Sequence, residues 1–516
     1  MTKQPRFRLP SHIACLIVGF ALLAGSPGLK AAVNSLEANT ETTQAEQPNF
    51  LFILTDDQTV NTIGALGNSE ILTPNMDRLA AQGTSFTHVF NQGAWSGAVC
   101  APSRRMINTG RHLYRTGLGP KTAKNDHAKK YPLMGEVLQQ AGYETFMTGK
   151  WHVDNASFRR SFSLGSAIYE GGMSAEGKGG QFEPRVAEYD GNDDNPENFV
   201  VRTENKHTSE LLADSAITYL QAKEQRNDKP FFMYVAFLAP HDPRQSPQEY
   251  VDMYPASAIT LPPNFLPEHP FDEGDHYIRD EVLLPFPRVE ATVKPFIGEY
   301  YAMITHLDAQ IGRILDTLDS SPYADNTIVI FTSDHGLAAG QHGLLGKQSQ
   351  YDASIRAPFI ISGPGIPVAK QAPGMFYLHS IFPTVLDLAD IAIPDSVDTA
   401  SITPLIRGER DTEHEAIYGA YKHFQRMVRT DNYKLIYYPM LKKTQLFDLQ
   451  NDPWEMNDLS DDPENAQLII ELQAQLETLK QAVGDPLKND TPEASFAEYM
   501  SKSKARRRVE LKATES

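Results

Sequence analysis

Apolar and polar positions along this chain fall into two textures. From residue 49 to about 390 the apolar runs are continuous and end abruptly in polar residues. Asn49-Phe50-Leu51-Phe52-Ile53-Leu54-Thr55 is the first; Pro230–Ala239, Thr327–Thr332 and Phe359–Ile361 follow, and a shorter strand lies just before Gly149. Runs of this kind are buried on both faces, as in a parallel sheet covered by helices. Helical spacing separates them. Thr73 is placed to cap a helix with Pro74 in its first turn, Asn75 to Gln82 as its body and Gly83 as its stop. Ser209 to Ala222 keeps the same period, and Tyr300, Met303, Ile304, Leu307, Ile311, Ile314, Leu315 and Leu318 mark the apolar face of a longer helix. Strand and helix in alternation predict an α/β fold: a large doubly wound, mostly parallel sheet flanked by helices.

Beyond about residue 390 the runs shorten. Ala416–Tyr421, Arg426–Arg429, Tyr433–Tyr438 and Gln445–Leu449 are strand candidates with turns between them, which predicts a smaller antiparallel sheet. A helix over about 464–483 would pack on it through Leu468, Ile469, Leu472, Leu476 and Leu479. Two segments carry neither period. These are the Gly-, Asp- and Asn-rich stretch 165–205 and the Pro-rich stretch 255–288, read as surface excursions; Arg279-Asp280-Glu281 in the second receives no role. The expected division is an α/β domain over 49–390, a C-terminal α+β subdomain over 391–490 and a polar tail over 491–516. At the front, Lys3, Arg6 and Arg8 precede the apolar run Ile13–Ala24 and the small pair Ala31-Ala32. That is the pattern of a signal peptide, here over 1–32 with a polar leader over 33–48. The run is short for a membrane span. The expectation is therefore an exported, periplasmic or secreted protein that does not cross a membrane.

Length and charge narrow the class. At 516 residues the chain exceeds one ordinary core. A formal charge of −18 argues against nucleic acid as a partner, and an anionic substrate would need cations gathered locally against that field. The chain has two cysteines, and Cys15 lies in the segment expected to be removed. Cys100 is then the only thiol of the mature protein. A lone thiol in an oxidising compartment is either a small buried hydrophobe or a group with a chemical task. Its neighbours favour the second. Pro102 stiffens the backbone, Ser103 offers a helix cap and Arg104 lies one helical turn from Cys100.

Cys100-Ala101-Pro102-Ser103-Arg104, followed by Thr109-Gly110-Arg111, resembles the signature of the type I sulfatases of the alkaline phosphatase superfamily. Further segments agree. The first strand runs into Asp56-Asp57; a second ends in Gly149-Lys150-Trp151-His152, where a two-residue spacing in extended chain would put Lys150 and His152 on one face; a third ends in Pro240-His241-Asp242-Pro243, and a fourth in Ser333-Asp334-His335-Gly336, with Lys347 beyond. The carboxyl ends of parallel strands share one sheet edge, so these groups can converge there.

The resemblance implies that Cys100 is oxidised to formylglycine (3-oxoalanine) by a sulfatase-maturing enzyme, and that the aldehyde hydrate is the nucleophile. It implies one Ca²⁺ held by Asp56, Asp57, Asp334, His335 and residue 100; hard oxygen donors suit Ca²⁺, and His335 is the odd member. Arg104, Lys150 and Lys347 would hold the nucleophile and the remaining negative charge, His241 would protonate the leaving alcohol, and His152 would take the proton as the sulfated hydrate releases sulfate. Hydrolysis of a sulfate monoester, on a sulfated carbohydrate, is the leading expectation. A phosphate or phosphonate ester hydrolase of the same superfamily and a catalytically silent glycan-binding protein stay open as alternatives. Trp95, His112, Arg115, Asp154, Asn155, Tyr421 and His423 are candidates for the substrate pocket.

Overall fold

The computed structural model describes residues 47–116, 131–172, 180–226 and 229–487. The signal peptide, nearly all of the leader and the polar tail expected from the sequence lie outside the described residues. In chain order the strands are β1 Asn49–Thr55, β2 Gly83–Phe90, β3 Gly93–Ala94, β4 Glu144–Lys150, β5 Leu164–Tyr169, β6 Arg185–Tyr189, β7 Arg202–Thr203 and β8 Phe231–Ala236. They continue with β9 Thr327–Ser333, β10 Arg356–Ser362, β11 Lys370–Ala372, β12 Phe376–Tyr377, β13 Ile417–Tyr421, β14 Gln425–Arg429, β15 Tyr433–Tyr438 and β16 Lys443–Asp448. The principal helices are α1 Pro74–Gln82, α2 Cys100–Thr109, α3 Thr208–Glu224, α4 Glu290–Asp319 and α5 Ala466–Val483.

The large sheet runs β11-β2-β10-β9-β1-β8-β4-β5-β6-β7, with β12 also on β2. Its centre, β9-β1-β8-β4-β5, is parallel, while β10 runs antiparallel to both β9 and β2. This is the large, mostly parallel sheet that the continuous apolar runs predict. In β1 the alternation serves two cores. Leu51 and Ile53 join Met233, Val235, Val329 and Phe331 against the apolar faces of α3 and α4. Phe50, Phe52 and Leu54 join Phe232, Tyr234, Ile328 and Ile330 against Ile107 of α2 and the helices at 134–140 and 381–388. Each such fully buried side chain contributes about 1.5–3 kcal/mol, so β1 is held from both sides. The smaller sheet, β16-β15-β14-β13-β3, packs α5 through Leu472, Leu476 and Val483. Its last strand, β3, comes from the segment just before Cys100 and pairs Gly93 with Ala420 and Ala94 with Tyr421. The C-terminal sheet is thereby tied to the loop that leads into α2.

Three local expectations are corrected. Thr73 makes no capping hydrogen bond to α1. The cap comes from α4: the Asp308 carboxylate accepts the backbone N–H groups of Asn75 at 3.1 Å and Met76 at 2.8 Å, and the Asn75 amide at 2.9 Å. Burial pushes the Asp308 carboxyl up to about 6 despite these donors. Gly83 does not merely stop α1; it opens β2, and its polar-flecked sequence Thr84-Ser85-Phe86-Thr87-His88 concealed a strand that pairs with β10 along its length. The stretch 165–205 is not only surface excursion, because it holds most of β5 and all of β6 and β7 at one end of the large sheet.

Asp308 supports the first of the expected outcomes. Asp308→Ala strands buried N–H donors at the start of α1 and should cost about 2–4 kcal/mol of unfolding free energy. Urea unfolding of the two proteins measures it. A loss under about 0.5 kcal/mol would show that α1 is held by its apolar face alone.

Candidate active site

The carboxyl ends of β9, β1, β8 and β4, neighbours in the sheet, deliver the chemistry. Asp56 and Asp57 follow β1 directly. The backbone N–H of Asp56 donates to Ala239 O, and that of Asp334 to Thr55 O, so the strand ladder continues one step past β1. Asp57 then turns into a left-handed conformation at φ 70°. A non-glycine residue there costs about 1 kcal/mol, which tertiary contacts must offset. Tyr300 of α4 supplies one by donating its hydroxyl to Asp57 O at 2.5 Å, and the Asp57 N–H donates to Asp334 Oδ1 at 3.3 Å. Asp56 and Asp57 then engage different cations.

Asp56 faces Lys150 and Arg104. The Lys150 ammonium donates to Asp56 Oδ2, and Arg104 Nη2 lies 3.6 Å from the same oxygen. Gly149 is needed to bring Lys150 there, because a Cβ at its φ of 97° would lie 1.9 Å from Ala236 O of β8. Arg104 also donates Nε to Asp334 Oδ2 at 2.9 Å and Nη1 to Lys150 O at 2.5 Å. Burial raises the Asp56 carboxyl, but Lys150 and then Arg104 hold it well below its ordinary range. Asp56 Oδ1 nevertheless has no hydrogen-bond partner although it is buried. A carboxylate oxygen left bare in this way fits a cation ligand.

Asp57 faces Lys347, whose ammonium donates at 2.8 Å to each carboxylate oxygen. Burial pulls the Lys347 ammonium down, but Asp57, Cys100, Asp280 and Asp56 together leave it raised. The same ammonium lies 3.2 Å from Cys100 Sγ, and His335 Nε2 lies 3.3 Å from that sulfur on another side. His335 Nδ1 meets Gly336 O at 2.8 Å; a carbonyl only accepts, so Nδ1 carries the proton and Nε2 is the nitrogen offered to a cation. Nε2 is 3.2 Å from Asp57 Oδ1 and 3.4 Å from Asp334 Oδ1. One donor atom each from Asp56, Asp57, Cys100 and His335 lies within 4.8 Å of the others, all four residues buried. Two carboxylates and one imidazole around one point, with the Asp334 carboxylate beside His335 but outside that set, suit a hard divalent cation.

Cys100 opens α2 rather than preceding it, and Ser103 is an interior helix residue that donates to Asp334 O at 2.5 Å rather than a cap. Arg104 serves the carboxylates Asp334 and Asp56 more than the sulfur one turn away. Burial pushes the Cys100 thiol well up, as do Asp56 and Asp57, against Lys150 and Lys347. Among the protein groups, the balance favours a neutral thiol.

Cys100, His152, His241 and Lys347 line one cavity of about 260 Å³, together with Gly97, Ala98, Gly172, Ile278, Arg279, Asp280 and Gln348. His241 donates Nδ1 to Asp242 O at 2.8 Å and turns Nε2 toward Asp57 Oδ2 at 3.8 Å. His152 reaches the cavity by another route than extended spacing: it follows β4 in a left-handed turn, φ 55°. Burial, then Lys150 and Arg104, pull its imidazole down to about 2, so it is neutral and Nδ1 has no partner. Of the pocket candidates Trp95, His112, Arg115, Asp154, Asn155, Tyr421 and His423, none lines this cavity. Asp154 instead caps the helix at 155–161 by accepting Ser157 N–H at 2.8 Å, Arg115 pairs with Asp398 at 2.9 Å, and Tyr421 donates to Asp275 at 2.5 Å.

The tripeptide Arg279-Asp280-Glu281 was missed, and it braces the site. Arg279 pairs with both oxygens of Asp242, next to His241. Asp280 accepts from Gln348 at 2.6 Å, and Glu281 accepts the N–H groups of Leu345 at 2.9 Å and Gly346 at 2.8 Å, fixing the loop that carries Lys347. Three consecutive charges in a proline-rich stretch were the signal available.

The sulfatase family model matches residues 48–391, and that of the N-sulphoglucosamine sulphohydrolase C-terminal domain matches residues 340–482. The chain belongs to the sulfatase family. It is a sulfuric ester hydrolase of the alkaline phosphatase superfamily. The chain is 30% identical over 492 residues to an ulvan-active sulfatase of Formosa agariphila, covering 92% of this chain and 88% of that one. It is 26% identical to an N-acetylglucosamine-6-O-sulfatase of Bacteroides thetaiotaomicron, over 87% of this chain and 89% of that one. Among solved structures, a protein in complex with its substrate D-glucosamine-2-N,6-O-disulfate superposes with a TM-score of 0.72 at 24% identity, over 87% of this chain and all of that one. A phosphonate monoester hydrolase of Agrobacterium radiobacter shares the fold at a TM-score of 0.66 and 20% identity, over 85% of this chain and 96% of that one. Among the described residues no helix is long and apolar enough to cross a membrane.

Proposed function

We propose that this sulfatase is exported and removes sulfate from a sulfated carbohydrate, using formylglycine made from Cys100 and one Ca²⁺. The observation that carries the reading is the position of Cys100 Sγ, 3.2 Å from the Lys347 ammonium in a cavity shared with His152 and His241. A neutral buried thiol is a poor nucleophile. Two-electron oxidation of its side chain to an aldehyde by a maturing enzyme would supply, as the hydrate, an oxygen nucleophile that can be regenerated. Asp56, Asp57, Asp334 and His335, with residue 100, would hold the Ca²⁺, which contributes charge stabilisation at the sulfate oxygens.

The chain's own groups fit the remaining work. Lys150, Arg104 and Lys347 surround the sulfate position with fixed positive charge in a buried setting. His241, with Asp57 and Asp242 facing its two nitrogens, would give the proton to the departing alcohol. His152, kept neutral by burial and by Lys150 and Arg104, is the group that can accept a proton, and an anion bound among those cations eases the repulsion that depresses it. The domain division at about residue 390 and cleavage of residues 1–32 belong to the same proposal; the apolar run Ile13–Ala24 supports export. Relatives named for ulvan and for N-acetylglucosamine 6-O-sulfate support a carbohydrate substrate.

The test is sulfate release from a panel of sulfated glycans and one aryl sulfate, beside the matching phosphate and phosphonate esters, with protein matured alongside a formylglycine-forming enzyme. Sulfate esters should be preferred by roughly 100-fold or more. A preference for phosphonate would move the chain to the second reading, and binding of sulfated glycan without turnover would move it to the third.

A further inference from the structure

A second cavity, of about 630 Å³, opens beside Asp242 and is lined by Arg244, Leu283, Leu284, Pro295, Phe296 and Glu299, among others. The Arg244 guanidinium lies over aromatic rings, its Cζ 3.8 Å from the Phe296 centroid and 5.1 Å from that of Tyr300. Its Nε is buried without a hydrogen-bond partner, and among the described residues Arg244 forms no ion pair. The two carboxylates that face it are otherwise disposed. Asp242 is taken by both Nη groups of Arg279 and by His241. Glu299 is exposed at the cavity wall.

Arg244 is half-buried, and leaving its buried Nε without a partner is costly; stacking recovers only part of that cost. The wall is also mixed in a way that suits sugar: apolar Leu283, Leu284 and Pro295 for a ring face, Glu299 to accept hydroxyls, and a planar guanidinium for an oxyanion. The cavity lies against the reaction site, because Asp242 lines it while Arg279, the ion-pair partner of Asp242, lines the cavity that holds Cys100. We infer that this cavity is a second subsite for an acidic sugar unit of the substrate chain, with Arg244 holding the carboxylate or sulfate of the unit next to the one desulfated. The inference rests on the carbohydrate-sulfatase reading above.

Crystals of the calcium-loaded full chain soaked in sodium selenate test it directly. Two anomalous peaks are expected, one among Lys150, Lys347 and residue 100 and one on Arg244; Arg244→Gln should lose the second alone, and Arg244→Lys should keep it. No peak on Arg244 while the first is occupied overturns this subsite and leaves the sulfatase reading standing. Absence of both overturns the subsite and shifts doubt to the sulfate site as well. Three disaccharides with a common sulfate ester then separate the oxyanions: the neighbouring unit bears a carboxylate, a second sulfate or a neutral hydroxymethyl group. The charged member that the subsite serves should lead the neutral one, and Arg244→Gln should cut that ratio by roughly tenfold or more, in KM rather than kcat. An equal loss on all three would make Arg244 structural.

Discussion

Cys100→Ala is expected to abolish sulfate release, by about 10⁴-fold or more, while leaving the unfolding transition close to that of the native protein. The separation of the two effects follows from the site. Cys100 is the meeting point of Lys347, His335 and Asp57, but each of those groups has other partners: Lys347 holds both oxygens of Asp57, and His335 is fixed through Gly336 O. Removing the sulfur leaves no charge unpaired. What it removes is the only oxidisable atom placed among these cations. The companion measurement is the mass of the tryptic peptide Leu79–Arg104 from protein made with a maturing enzyme. Loss of sulfur and gain of a carbonyl oxygen at position 100 is expected. An intact thiol in a protein that nonetheless turns over sulfate esters would sink the formylglycine mechanism, and appreciable activity in Cys100→Ala would sink the nucleophile itself.

Much of this was legible in the sequence because strand ends and periodicity are local properties. β1, β8 and β9 are uninterrupted apolar runs, so their burial on both faces and their adjacency at a parallel centre followed, and with them the meeting of Asp56, Asp57, His241 and Asp334 at one edge. What escaped was set by distant contacts. β2 is a strand because β10 pairs with it, not because its own residues alternate cleanly. β3 is two residues long and exists through Ala420 and Tyr421, more than 300 positions away. Ser103 has the chemistry of a cap but sits where Asp334 O needs a donor. The spacing of Lys150 and His152 suggested one face of a strand, yet β4 ends at Lys150 and a left-handed turn places His152. Arg279, Asp280 and Glu281 receive no role from the sequence because nothing near them there reveals Asp242, Gln348 or the 345–346 amides.

Divalent cation and sulfate are expected to bind this site together about 100-fold more tightly than either binds alone. The reason is charge. Three carboxylates, Asp56, Asp57 and Asp334, stand against three cations, Arg104, Lys150 and Lys347, and all six side chains are buried. Their sum is neutral. A dication added alone leaves two positive charges uncompensated in a buried site, a sulfate dianion alone leaves two negative ones, and each is penalised by several kcal/mol. Bound together they restore neutrality. Calorimetric Ca²⁺ titrations with and without sulfate measure the coupling, and reciprocity requires the same factor for sulfate with and without Ca²⁺. Chelation should in consequence cut sulfate-ester turnover by about 10³-fold or more. Asp57→Asn supplies a signed control. It removes one negative charge and one donor, so it should weaken Ca²⁺ binding; yet in chelator it should bind sulfate more tightly than the native protein, because its site carries a net positive charge. If sulfate affinity in chelator falls in Asp57→Asn instead, local geometry rather than charge balance governs this site, and if Ca²⁺ affinity ignores sulfate, the two ligands do not share it.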